Sequence, residues 1–302
     1  MFTPFAWGTL GWNLLVVLWG AYVRASGSGA GCGNRWPLCN GQVAPSFPRL
    51  ATAIEFAHRA SSGVALIAVA GLVFWSYRQF PRGDRVRRAA VWSLVFLLLE
   101  ALLGAGLVLF NYVDKNASAG RAAYLSLHLV NTELLLGALA LTAWLSRPSR
   151  QSAANQGIGP ARLVKATLPV TILVSITGVI AALGDTLFPA SSLSEGLHQD
   201  ASSAASLLLR LRVFHPLVAV AGAFFIVYAA TSVVRGASRI ATRISVFVLL
   251  TAVVQLFAGT MNIALLTPVW MQIVHLLIAD VLWILLVLLT AEVRRPVAVP
   301  AA

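Results

Sequence analysis

The chain has 302 residues, of which 59% are hydrophobic and 11% charged, with 22 Lys and Arg against 10 Asp and Glu for a net charge of +12. A soluble domain of this length cannot bury so much apolar surface, so the class is a polytopic membrane protein. The basic residues gather in short stretches between apolar runs, which reads as a topology signal with membrane-lipid contact and excludes nucleic acid as a partner.

Eight apolar spans follow in chain order, at about 5–24, 52–77, 89–111, 122–146, 164–184, 207–234, 242–266 and 269–292, each long enough to cross a bilayer as a helix. The runs are continuous rather than alternating, which argues against a β-barrel. The first lacks a basic leading segment and is long for a signal peptide, so it is read as a span. An outer loop at 25–51 follows it and carries the only cysteines, Cys32 and Cys39. Arg78, Arg82, Arg85, Arg87 and Arg88 lie between spans two and three, and Arg147, Arg150, Arg162 and Lys165 between four and five. Arg235, Arg239 and Arg243 lie between six and seven, and Arg294 and Arg295 follow the last span. The positive-inside rule makes these segments cytoplasmic and puts both termini inside.

The basic linker, with Pro148, Ser149, Gln151, Ser152, Asn155 and Gly157, divides the chain into halves that read as a diverged repeat. Span three carries Glu100 and Gly104 where span seven carries Gln255 and Gly259. Span four carries His128 and then Glu133; span eight carries His275 and then Asp280 at the same offset. Spans two and six carry Phe56-Ala57-His58 and Val213-Phe214-His215. The expected fold is therefore all-α, two four-helix bundles related by a pseudo-twofold axis along the membrane normal. The expected domains are 1–146, a cytoplasmic linker at 147–163, and 164–302.

All four span histidines, His58, His128, His215 and His275, sit near the outer starts of even-numbered spans. Ionisable side chains inside a membrane are costly and point to function, and equal depth is not expected of four unrelated core histidines. His58 with His128, and His215 with His275, would each make an axial pair for an iron porphyrin. A zinc site is the weaker alternative, because neither half offers cysteine ligands in a span or H-E-x-x-H spacing. Arg24, Arg59, Arg121, Arg210 and Arg212 lie at outer helix ends against the charge trend, where porphyrin propionates or lipid headgroups would hold them. His198, in the polar 185–206 loop with Asp200, reads as a solvated histidine.

The halves differ in two respects. Glu55 precedes His58 by three residues and shares its helix face, where the second half has Arg212. A carboxylate beside a porphyrin can act as base, proton acceptor or partner of a developing cation. The Cys32–Cys39 pair is also confined to the first half, and a structural staple and a redox-active disulfide are both open.

Arg24-Ala-Ser-Gly-Ser-Gly, Trp36-Pro-Leu-Cys39-Asn-Gly and Glu55-Phe-Ala-His58-Arg59, with the three later histidines, resemble the heme A synthase family across all eight spans. The resemblance implies oxidation of a ring methyl (C8) of heme O to the formyl of heme A by successive hydroxylations. It implies a heme b cofactor between His215 and His275, with Arg212 nearby. It places substrate heme between His58 and His128, with Arg24 and Arg59, and makes Glu55 catalytic. It places the chain in the members with a cysteine pair. It further implies a multi-pass cell-membrane protein with heme sites toward the extracytoplasmic side. The implied partners are heme O synthase and the cytochrome oxidase assembly machinery, with homo-oligomerisation left open. Glu100 departs from the pattern, since a glutamine like Gln255 is expected there. A di-heme cytochrome b relay and a non-enzymatic heme carrier are the competing readings.

Overall fold

The computed structural model describes residues 1–43, 45–47, 49–148, 158–202, 207–234 and 238–293. Arg150, Arg235, Arg294, Arg295 and the linker residues Ser149, Gln151, Ser152, Asn155 and Gly157 lie outside them. The described residues are helical, with no strand among them. Eight helices are long and apolar enough to cross a membrane, which makes this a multi-pass membrane protein.

In the first half α1 (Phe2–Ala25), α2 (Leu50–Gln79), α3 (Arg85–Leu109) and α4 (Ala119–Leu145) pack as a closed ring, α1 on α2, α2 on α3, α3 on α4 and α4 back on α1. Local signals set the starts: the Asp84 carboxylate accepts from the Val86 N–H and the Ser118 hydroxyl from the Arg121 N–H. In the second half α5 (Ile158–Leu187), α8 (Phe214–Val234), α9 (Arg239–Ala264) and α10 (Val269–Val293) close a second ring in the same order. Leu266 and Thr267 take positive φ ahead of Pro268, which reverses the chain between α9 and α10 in four residues.

Two short helices depart from the sequence reading. The polar 185–206 segment is not all loop: α5 runs on to Leu187, and α6 (Leu193–Ala201) follows, capped by the Ser192 hydroxyl on the Glu195 N–H. The sixth span is broken at Val213 into α7 (Leu207–Arg212) and α8. Pro216 has no N–H to offer the Arg212 carbonyl, and the break falls where that bond is missing.

The rings meet along α4 and α10, which touch each other, while α4 also touches α5 and α10 touches α1. These are the central helices: 67% of the α4 span and 44% of the α10 span are buried, against 22–28% elsewhere. Without a hydrophobic drive between helices in lipid, close approach depends on small residues and packing. Gly137, Ala138, Ala140 and Ala143 supply them on α4, and a Cβ at Gly137 would stand 3.5 Å from Trp283 and Val287. Trp283 donates to the Glu133 carbonyl across this seam at 2.6 Å. Leu135, Leu136, Leu139, Leu286 and Leu289 fill the common core.

Candidate functional site

One cavity of about 1520 Å³ runs through both rings and is lined by His58, His128, His215 and His275 together. A single drug-sized ligand needs roughly 300–1,000 Å³, so this volume suits two large ligands better than one.

Each histidine faces a glycine on the preceding span. A Cβ at Gly20 of α1 would stand 2.9 Å from His58 Cε1, and one at Gly178 of α5 would stand 3.0 Å from His215 Cε1. A Cβ at Gly259 of α9 would stand 3.1 Å from His275 Cε1, and one at Gly104 of α3 would stand 3.7 Å from His128 Nε2. The glycines leave room for four rings at the cavity wall. Gly104 and Gly259 mark the repeat in the sequence, whereas Gly20 and Gly178 stand among other glycines of their spans with nothing in the sequence to single them out.

Neighbours orient the rings differently in the two halves. His128 Nδ1 lies 2.9 Å from Glu100 Oε1. That carboxylate also accepts from Asn131 at 2.6 Å and from the Thr132 hydroxyl. In the second half Thr177 Oγ1 lies 3.0 Å from His215 Nδ1, and Gln255 Nε2 lies 3.3 Å from His275 Nε2. Glu100 thus stands where the sequence pattern expected a glutamine, and it supplies a charged anchor for its histidine. His58 Nδ1 and His275 Nδ1 are buried without a partner.

The His215 and His275 rings stand 6.5 Å apart, centre to centre, at 79°. Two imidazoles on one metal, each bonded at about 2 Å with its ring centre about 1 Å further out, stand roughly 6 Å apart. The donor types, the spacing, the unpartnered ring nitrogens and the apolar cavity all fit an iron porphyrin held between facing helices.

Glu55 is 3% exposed and lines the cavity. Its Oε1 accepts from Arg59 Nη2 at 2.5 Å and Nε at 3.2 Å, and its Oε2 accepts from the Cys32 N–H at 2.8 Å. Cys32 and Cys39 are joined in a disulfide. Arg59 also donates to the Leu38 carbonyl at 2.8 Å, and the Thr52 hydroxyl donates to the Gly31 carbonyl at 2.8 Å. A Cβ at Gly31 would meet the Ala51 carbonyl at 2.4 Å, so only glycine lets the loop dock on the first turn of α2. The disulfide loop is therefore part of the cradle that fixes Glu55.

The remaining arginines have other commitments. Arg24 leaves the first ring altogether. It donates to the Ala182 carbonyl at 3.0 Å and Thr186 Oγ1 at 2.8 Å on α5, and to Gln272 Oε1 at 3.1 Å on α10. The reason is the α1–α10 packing, which brings its long side chain to the seam between the halves. Arg212 pairs with Asp185 at 3.1 Å and Asp200 at 2.6 Å, two carboxylates from the segment that reads as loop in sequence. Arg121 is held by the Asp114 and Asn116 carbonyls. Arg24, Arg59, Arg121 and Arg212 all line the cavity. His198 sits on α6, away from the other histidines.

Eight membrane-length helices around a cavity of paired histidines define a multi-span membrane protein whose site is built to hold ligands between facing helices. The chain belongs to the cytochrome oxidase assembly protein family, which it matches over residues 3–287. It is similar to "Protoheme IX farnesyltransferase" of Thermus thermophilus, 44% identical over 95% of this chain and 48% of that protein. The chain thus spans about half the length of that relative. Shorter similarities join it to "Heme A synthase" of Shouchella clausii, 44% identical over 33% of this chain and 34% of that protein. "Heme A synthase" of Alkalihalophilus pseudofirmus is 34% identical over 44% of this chain and 42% of that protein.

Proposed function

We propose that the protein is a heme A synthase, an oxidoreductase that converts the C8 methyl of heme O to a formyl group by successive hydroxylations. The observation that carries this reading is the inequality of two otherwise matched histidine pairs. Glu55, Arg59 and the disulfide loop are bonded together on the helix that carries His58, and the second half has no counterpart. A relay that only passes electrons needs no such difference, and a carrier needs no carboxylate fixed by three donors.

The residues 1–146 would form the substrate unit and 164–302 the cofactor unit, joined by the 147–163 linker and related by a pseudo-twofold axis. The ring contacts support that relation, because α4 on α5 and α10 on α1 are equivalent pairings under exchange of halves. His58 and His128 would hold heme O, with Glu100 fixing the His128 ring. His215 and His275 would hold heme b, oriented by Thr177 and Gln255. Heme b, when bound there, would supply one-electron transfer.

Each hydroxylation takes two electrons from the methyl, which must pass to an external electron acceptor, and releases two protons while water supplies the oxygen. Glu55, anchored by Arg59 and the Cys32 N–H, is arranged as a fixed negative charge. That favours stabilisation of positive charge developing at the methyl, with proton acceptance following once a donor moves away. Arg24 and Arg121 at the cavity wall would meet propionates. Arg212, already shared between Asp185 and Asp200, would position the outer cap over the second site.

The farnesyltransferase name belongs to a protein about twice as long. A sequence like this one filling half of it supports adjacency of the two steps, with farnesylated heme supplied by a heme O synthase partner. Both termini would be cytoplasmic, with the sites toward the outer face of the cell membrane. The cytochrome oxidase assembly machinery would receive the product.

Glu55→Gln tests the assignment. Conversion of heme O should fall at least 100-fold, within the range for loss of a positioned catalytic group, while the heme b spectrum is unchanged. Full conversion in this variant contradicts the role of Glu55.

A further inference from the structure

Glu133 of α4 and Asp280 of α10 lie where the two rings meet, and both are 3% exposed. Each stands five residues after a histidine of the cavity, about 7.5 Å further along its helix. Both line the same cavity. Glu133 Oε2 and Asp280 Oδ2 are buried with no hydrogen-bond partner. They sit on the packed helices α4 and α10, where the charge of one bears on the other.

A buried polar group without a partner is destabilising, and a buried carboxylate more so. Two negative charges this close in a low-dielectric seam repel strongly. Structural packing alone explains neither side chain, since Gly137 and Trp283 already form the contact. Of the charged and titratable groups that line the same cavity, the helices packed against α4 and α10 bring Arg24 from α1, Glu100 from α3, Asp185 from α5 and Arg212 from α7, while α9 brings the neutral Gln255. Of the cations, Arg24 is engaged with Thr186 and Gln272, and Arg212 with Asp185 and Asp200. Neither is bonded to Glu133 or Asp280. A shared proton is the simplest counter-charge.

We propose that Glu133 and Asp280 form a redox-linked proton site between the two halves. One electron entering the iron held by His215 and His275 is accompanied by one proton passing from water to the carboxyl pair. Both leave together on reoxidation. The summed charge of heme and carboxyl pair is then the same before and after each electron arrives. This rests on the second ring holding a heme, and it holds whether or not the first ring oxidises heme O.

The test is a mediated redox titration of the purified protein with dithionite, following the heme absorption band at several pH values. The midpoint potential should fall as pH rises, approaching 59 mV for each tenfold drop in proton activity, the one-electron limit. The double variant Glu133→Gln, Asp280→Asn should bind heme with an unchanged spectrum and lose most of that slope. A structural role alone would leave the slope in place. A pH-independent potential in the wild type, or an undiminished slope in the double variant, overturns the proposal. Redox-difference infrared spectra of the wild type give a second test that needs no variant. A carboxyl band that shifts in heavy water should appear on reduction, and its absence overturns the proposal as well. Absence of any heme from the second ring would instead remove the reading on which the proposal rests.

Discussion

Glu55 shows how much of this site depends on contacts that no local pattern reveals. Its register with His58 is visible in the sequence, because three residues return a helix to the same face. Its Arg59 partner is visible too, one turn further on. The Cys32 N–H is not, since it comes from a loop whose docking depends on the absent side chain of Gly31. Arg24 is the converse case. Its position at the end of α1 suggested the first ring, and only the packing of α1 on α10 carries it to Thr186 and Gln272. Residue-level predictions follow from the histidine anchors and their glycines. Glu100→Ala should lower heme retention in the first ring about 10–100-fold, as loss of a ligand-orienting group does elsewhere, measured by pigment content after dilution. Gly259→Leu should deplete heme from the second ring, because a Cβ there already stands 3.1 Å from His275. Gly8→Leu, with no neighbour within 4 Å of its Cβ, should leave both sites filled. Pyridine hemochrome spectra of the purified variants read both outcomes.

At the scale of elements, the eight long helices were legible because membrane insertion writes itself as unbroken apolar length. The structure differs from that reading where polar chemistry intervenes. α6 was hidden because its composition is polar, and its start is set by the Ser192 cap rather than by periodicity. The break between α7 and α8 follows from Pro216, a residue that hydropathy counts as merely neutral. α6 has a task in the site, since it brings Asp200 to Arg212 at 2.6 Å. Ser192→Ala should weaken α6 by about 1 kcal/mol, seen as faster amide exchange over residues 193–201 without loss of the long helices. The seam between α4 and α10 gives the opposite expectation. Gly137→Leu should destabilise the protein by about 1–3 kcal/mol through overpacking, seen as a lower unfolding temperature in detergent, because Trp283 and Val287 leave no space for the added side chain.

Over the whole molecule, a matched pair of rings shares one cavity while the chemistry around the histidines differs from ring to ring. Hydropathy and the repeat carried the overall architecture, because spans two to four recur as six to eight with histidines and acidic or amide groups at matching offsets. They could not carry the way the halves meet, since lipid-facing and ring-facing apolar residues read alike in sequence. That the acids after His128 and His275 are buried on the two helices that meet at the seam is a tertiary fact. On the proposed reading, the matched histidines would hold two porphyrins, and the unmatched Glu55, Arg59 and disulfide loop would supply chemistry at one of them. The most direct measurement is to produce the protein alongside a source of heme O and to separate the pigments extracted from it by chromatography. Heme A, or its hydroxylated precursor, together with heme b is the predicted result. Heme b alone, with heme O left unconverted, would contradict the account.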